Sequence, residues 1–235
     1  MLNSFTLLDI LALSWFFSVW FLYSYISKKT MYQGDRITLN GLSNFYRETW
    51  MLNMVNRDNR IVDSNLLNTL LRGVSFFLSG TILVIAGLYA ALGSASDVID
   101  ITSHIPFAIA NTIEMVKIKF LILISLFVYV FFKLVWSLRL YNYGIVMMGA
   151  APECNQGEEE KQRYAKKMGV VISKGGIYFN EGMRGFEFGL AYLVWLIHPI
   201  GLLISTTIVL MVIYRREYRS ATLAAMQRWD EEKLS

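Results

Sequence analysis

The chain has 235 residues, 55% of them hydrophobic and only 17% charged, with a formal net charge of +4 and a mean hydropathy of +0.43. A soluble domain carries about a quarter charged residues, so this balance excludes an ordinary soluble fold and points to lipid. A single cysteine, Cys154, excludes an internal disulfide and any metal site that needs two thiolates.

The first predicted element is the apolar, aromatic run from Ile10 to Ile26, between Asp9 and Lys28. No basic residue precedes it and no small-x-small cleavage site stands out after it, so it reads as a span and not as a signal peptide. The loop that follows has its own pattern. Leu42, Phe45, Thr49, Leu52, Val55, Val62, Leu66 and Leu70 recur at helical spacing, interrupted by polar "NRDNR". This predicts one or two amphipathic helices at a membrane surface. Within "RDNRIVD" the i,i+3 spacing of Arg57, Arg60 and Asp63 reads as a solvated ion-pair face.

Gly73 to Leu92 is twenty residues without a charge, the length a helix needs to cross ~30 Å of hydrocarbon. Phe120 to Leu138 is apolar apart from Lys133, and "GEEEKQRYAKKMGVVISKGG" in the next loop reads as a further amphipathic helix, with acids in its first turn. The last apolar run, Phe188 to Tyr214, has twenty-seven residues. At 1.5 Å each that is ~40 Å, long for one untilted span and short for two. It is read as one helix kinked at Pro199, with a hairpin at "WLIHPIG" as the alternative.

The expected fold is therefore all-α, a polytopic membrane protein of one domain. It has four transmembrane helices, at about 7–26, 72–92, 118–138 and 187–214, plus amphipathic surface helices in the basic loops 27–71 and 139–186. Lys and Arg collect on the cytoplasmic side. The stretches Ser27–Arg72 and Arg139–Arg184 carry seven each, Gly93–Lys119 two, the tail after Tyr214 five, and the N-terminal segment none. With both termini outside, the inner count is fourteen against seven, and that orientation is the expected one. A hairpin in the last run would return the tail to the inner side.

Three blocks in order carry a resemblance: "RETWMLNMVNRDNRIVDSNLLNTLLRGVSFFLSGTILVIAGL", "FFKLVWSLRLYNYGIVMMGAAP" and "LIHPIGLLISTTIVLMVIYRREYRS". Together the chain resembles the bacterial and plant membrane family catalogued as domain of unknown function 599, over nearly its whole length. The resemblance implies the four-span architecture and supplies no activity, substrate or cofactor.

Several residues are candidates for function. Ser125, Tyr129, Lys133 and Ser137 step by four, so they form a polar stripe on one face of the third span. Such a stripe faces a bundle interior or a water-filled cavity, and a charge inside a span is a functional suspect. The competing reading is that Lys133 snorkels to the inner interface. Arg72, Lys133, Arg139 and Arg184 fall near the inner ends of the spans, a ring suited to an anion or a lipid headgroup. Positive-inside anchoring accounts for the same arginines. Gly73, Gly80 and Gly87 share one helix face at seven-residue spacing, and Gly185 and Gly189 form a small-xxx-small pair. Both sets suit close helix packing in lipid.

No catalytic or metal-binding set stands out, and no cofactor is expected. His104 lies in an outer loop and His198 in the last run, so no facing haem pair is formed, and His198 reads as a polar kink residue. Asp9 and Lys133 lie at opposite ends of their spans. The expected role is a non-enzymatic homo-oligomer of a bacterial inner membrane, with a pore-forming or lipid- or anion-binding role. The alternative is an accessory or scaffolding subunit of a larger membrane complex. The expected partners are membrane lipids, copies of the chain or such a complex, and not nucleic acid.

Overall fold

The computed structural model describes residues 5–32, 38–106, 108–109, 111–153 and 157–234, and the side chains among these except 28–32 and 228–234. Cys154 and Arg36 lie outside the described residues. Eight α-helices follow in order: α1 (Leu7–Tyr32), α2 (Leu39–Val55), α3 (Ile61–Gly93), α4 (Ala95–Ser103), α5 (Ile113–Gly149), α6 (Glu158–Leu193), α7 (Pro199–Tyr218) and α8 (Ala221–Leu234). A 3₁₀ turn, Val194–Leu196, separates α6 from α7. Among the described residues there is no strand. Among the described residues four stretches are long and apolar enough to cross a membrane: Leu7–Ser27, Ile61–Gly93, Ile113–Gly149 and Pro199–Gln227.

Local chemistry sets the helix ends. Thr6 and Asp9 form a reciprocal cap at the start of α1. The Thr6 hydroxyl accepts from Asp9 N–H at 3.2 Å, and the Asp9 carboxylate accepts from Thr6 N–H at 3.1 Å. Thr38 accepts from Gly41 N–H at 3.0 Å to open α2. His198 does the same for α7, its Nδ1 accepting from Ile200 N–H at 3.0 Å. Pro199 then occupies the first helical position, where its missing N–H costs nothing. The expectation of one helix kinked at Pro199 is thus corrected. His198 and Pro199 start a new helix, and the chain reverses.

The contacts divide the chain into two compact units, each built from pieces of the same long helices. One comprises Met1–Ser27, Gly80–Phe131 and Gly182–Tyr214. In it α1 buries Ala12, Phe16, Val19, Trp20 and Tyr23, at helical spacing, and exposes Leu11, Phe21 and Leu22. Phe16 packs edge-on against Phe188 and Tyr192 of α6, at 5.9 and 5.4 Å. A Cβ on Gly189 would meet the Phe127 ring at 2.8 Å, and one on Gly185 would meet Val130 at 2.7 Å. Those two glycines let α6 approach α5, the contact that organises helices where lipid removes the hydrophobic drive. Ser205 of α7 donates to the Ala191 carbonyl of α6 at 2.8 Å, which holds the two arms of the reversal together. Ala95, Val116 and Phe120 form a smaller core under α4.

The other unit comprises Lys28–Ser79, Phe132–Glu181 and Arg215–Ser235. In it the first part of α6 buries Ala165, Met168, Ile172 and Ile177 on one face. The segment expected to be a second amphipathic helix is one-sided, with Arg163, Lys166, Lys167 and Lys174 exposed on the opposite face, and it is continuous with the apolar part of α6. Glycines again allow the approach. A Cβ on Gly175 would lie 3.1 Å from the Tyr141 ring of α5, and one on Gly169 would lie 3.1 Å from Glu48 of α2. The tail packs here too. Tyr46 of α2 donates to the Met226 carbonyl of α8 at 3.2 Å, and Asn40 Nδ2 donates to Glu217 of α7 at 2.6 Å. The tail thus shares a unit with the first basic loop.

Candidate functional site

Charged side chains are costly inside an apolar bundle, and each needs a partner or a cavity. In the first unit Lys119 of α5 is 1% exposed and Asp9 of α1 is 3% exposed. The Lys119 ammonium donates to Asn111 Oδ1 at 2.8 Å and to the Trp195 carbonyl at 2.9 Å, and lies 4.0 Å from Asp9 Oδ1. The Trp195 indole donates to Asp9 at 2.8 Å, and the ammonium sits 4.9 Å from the indole centroid. Two neighbouring carbonyls are also taken. Asn111 Nδ2 donates to Leu196 O, and Ile109 N–H donates to Ile197 O, both at 3.1 Å. The reversal after α6 frees carbonyls that no helix satisfies, and the segment from Ile109 to Lys119 supplies their donors.

In the second unit Lys133 of α5 meets Glu181 of α6 at 2.7 Å, with side-chain exposures of 19% and 7%. Its ammonium lies 5.0 Å from the Tyr178 ring centroid, a cation–π contact, and Trp136 packs edge-on against the same ring. Ser137 is fully buried and donates to the Gly175 carbonyl at 2.7 Å. Lys133 and Ser137 thus face α6. Tyr129 and Ser125, one and two turns earlier, do not join them. Ser125 is exposed and donates back to Leu121 O at 2.8 Å, and Tyr129 is part-exposed with its ring edge-on to Trp20. A stripe aligned on one helix meets different neighbours along its length.

The four cations expected near the inner ends occupy unlike settings. Arg72 and Arg139 are exposed, Lys133 is ion-paired, and Arg184 is buried with its guanidinium 5.7 Å from the Tyr23 ring. Of the glycines, Gly185 and Gly189 lie at close contacts. Gly73, Gly80 and Gly87 have no atom of other parts of the chain within 4 Å of where a Cβ would stand.

The "RDNRIVD" segment is not a solvated face. Asp63 is fully buried, and its Oδ1 accepts from both Trp50 Nε1 and Arg57 at 2.6 Å. Arg60 instead donates to the Ala151 and Pro152 carbonyls at the end of α5. Helical spacing misled because the segment spans the break between α2 and α3, where i,i+3 geometry does not apply.

Sequence reasoning also missed Lys119, which it counted as a loop cation, and Glu181. The available signal was the charge itself: Lys119 directly precedes an apolar run, and Glu181 stands among four glycines. Among the described residues no group of His, Cys, Asp and Glu could hold a metal ion.

Among the described residues the chain is all-helical, with four helices long and apolar enough to span a membrane and charged pairs held inside its packing, an arrangement compatible with a polytopic membrane protein. The chain belongs to the family described as "Protein of unknown function, DUF599", whose model matches residues 11–222. No curated protein and no solved structure matches it.

Proposed function

We propose that this is an integral protein of a bacterial inner membrane, self-associating and without enzymatic activity, that passes or binds a small anion along α6. The observation that carries the reading is α6 itself. Its buried face holds Ser173, Glu181 and Arg184. Each charge at the centre of a span costs on the order of 3 kcal/mol, and apolar residues of the same volume would fill such a site at no loss of stability. In this reading Lys133 is the anion's binding group and Glu181 is the intrinsic carboxylate that occupies it in the closed state.

α6 is then a fifth crossing, too polar to stand alone in lipid and covered by the apolar helices. α7 then crosses back and brings the tail inside, and with Arg184 left within the α6 crossing the inner Lys and Arg count becomes eighteen against two outside. This is a stronger positive-inside bias than four crossings give.

The test is anion efflux from liposomes containing the purified protein. Glu181→Gln frees Lys133 and should raise the flux about tenfold, whereas Lys133→Met should abolish it. Opposite signs distinguish a gate from a merely structural pair, whose two variants would fail together. Flux that is absent in the wild type and in both variants would refute the reading.

A second reading, an accessory or scaffolding subunit, is favoured by α3. Among the described residues no atom of other parts of the chain lies within 4 Å of where a Cβ on Gly73, Gly80 or Gly87 would stand, room that would accept a helix of another protein.

A further inference from the structure

A groove of about 400 Å³ runs between α1 and α5. Phe17, Trp20 and Phe21 form one wall, with Phe17 and Trp20 each stacked on Phe21, and Leu121, Ser125 and Tyr129 lie on the other. The Ser125 hydroxyl is already used on Leu121 O. The groove is open along its length and its lining is mainly apolar, so a slender apolar chain can lie in it.

The end of the groove is charged. Lys117 stands one turn before Leu121 and next to Ile118, both of which line the groove. Lys117 is exposed, and Glu114, also exposed, stands one turn earlier. A cation and a carboxylate three residues apart complement a zwitterion, not a purely anionic group. A phosphate suits Lys117, and a primary ammonium suits Glu114.

We propose that this groove binds one phospholipid with a primary-ammonium headgroup, one acyl chain lying along α5 and the headgroup across Glu114 and Lys117. The inference rests on the membrane placement proposed above and not on anion passage.

The test is native mass spectrometry of the full chain in detergent, offered phosphatidylethanolamine, phosphatidylglycerol and phosphatidylcholine in equal amounts. One phosphatidylethanolamine should be retained per chain, favoured about fivefold over phosphatidylglycerol, the effect of one interfacial charge. Glu114→Gln should invert that preference, and Lys117→Gln should weaken retention of both lipids. Leu121 is half-exposed, so Leu121→Trp should fill the groove and lose the lipid while melting like the wild type. It should leave anion flux unchanged, which separates this inference from the proposed function. Retention of lipid by Leu121→Trp overturns the site. Equal or better binding of phosphatidylglycerol by the wild type overturns the headgroup assignment, and a dimer dissociated by Leu121→Trp without lipid loss assigns the groove to a second copy instead.

Discussion

Lys119→Met keeps the length and apolar stem of the side chain and removes its ammonium. The buried group donates to Asn111 and to the Trp195 carbonyl, and hydrogen bonds to charged groups contribute ~1.5–3 kcal/mol each. Removing one member of a buried pair costs ~3–5 kcal/mol, because the other charge stays buried. Asp9 keeps the Thr6 and Trp195 donors, which places the loss at the lower end, about 3 kcal/mol. For a chain of this size 1 kcal/mol shifts a melting midpoint by ~2–4 °C, so the midpoint in detergent should fall by ~6–12 °C. Adding Asp9→Asn removes the stranded charge and should restore part of the loss, since residues in one network are not additive. Intrinsic tryptophan emission offers a second readout, because the indole of Trp195 loses its ammonium neighbour. If Lys119→Met melts within 1–2 °C of the wild type, on the same ~2–4 °C scale, the network is an accident of packing and does not hold the α6–α7 reversal.

Two further outcomes follow from the same geometry. Gly189→Leu should drive its side chain into the Phe127 ring and lower the melting midpoint sharply, whereas Gly80→Leu should leave the chain's own stability unchanged and act only on oligomer mass in detergent. Comparable destabilisation by both would show that the α3 glycine face is a packed contact after all. With Cys154→Ser as background, Ser103→Cys should react with an impermeant thiol reagent on intact cells and Ser220→Cys should be protected. Labelling of Ser220→Cys from outside would return the tail to the outer side and reduce the crossings to an even number.

The sequence by itself determined that the chain is helical and which stretches suit lipid. Both properties follow from local composition and period, which need no neighbours. It also marked Lys133 as a charge that lipid would not tolerate unpaired, and it paired two glycines, Gly185 and Gly189, that lie against α5. Only the tertiary structure decided the rest. A proline inside an apolar run is compatible with a kink or a new helix, and the choice fell to His198, which caps α7 with its ring nitrogen, and to donors 76–88 residues distant along the chain, Lys119, Asn111 and Ile109. Without those donors the freed carbonyls of 195–197 would be unsatisfied, so a hairpin cannot be read from the run alone. The stripe along α5 failed for a related reason. Helical periodicity says which residues share a face and not what each turn of that face meets, so Ser125 lies on an open groove while Ser137, three turns on, is sealed against Gly175. A polar segment such as the first part of α6 is read as surface because its charges suit water. Its charged outer face does stay exposed, but its inner face packs because Glu181 meets Lys133, Asn180 meets Asn40 and Lys161 meets Asn56, and long-range pairing of that kind leaves no trace in local hydropathy.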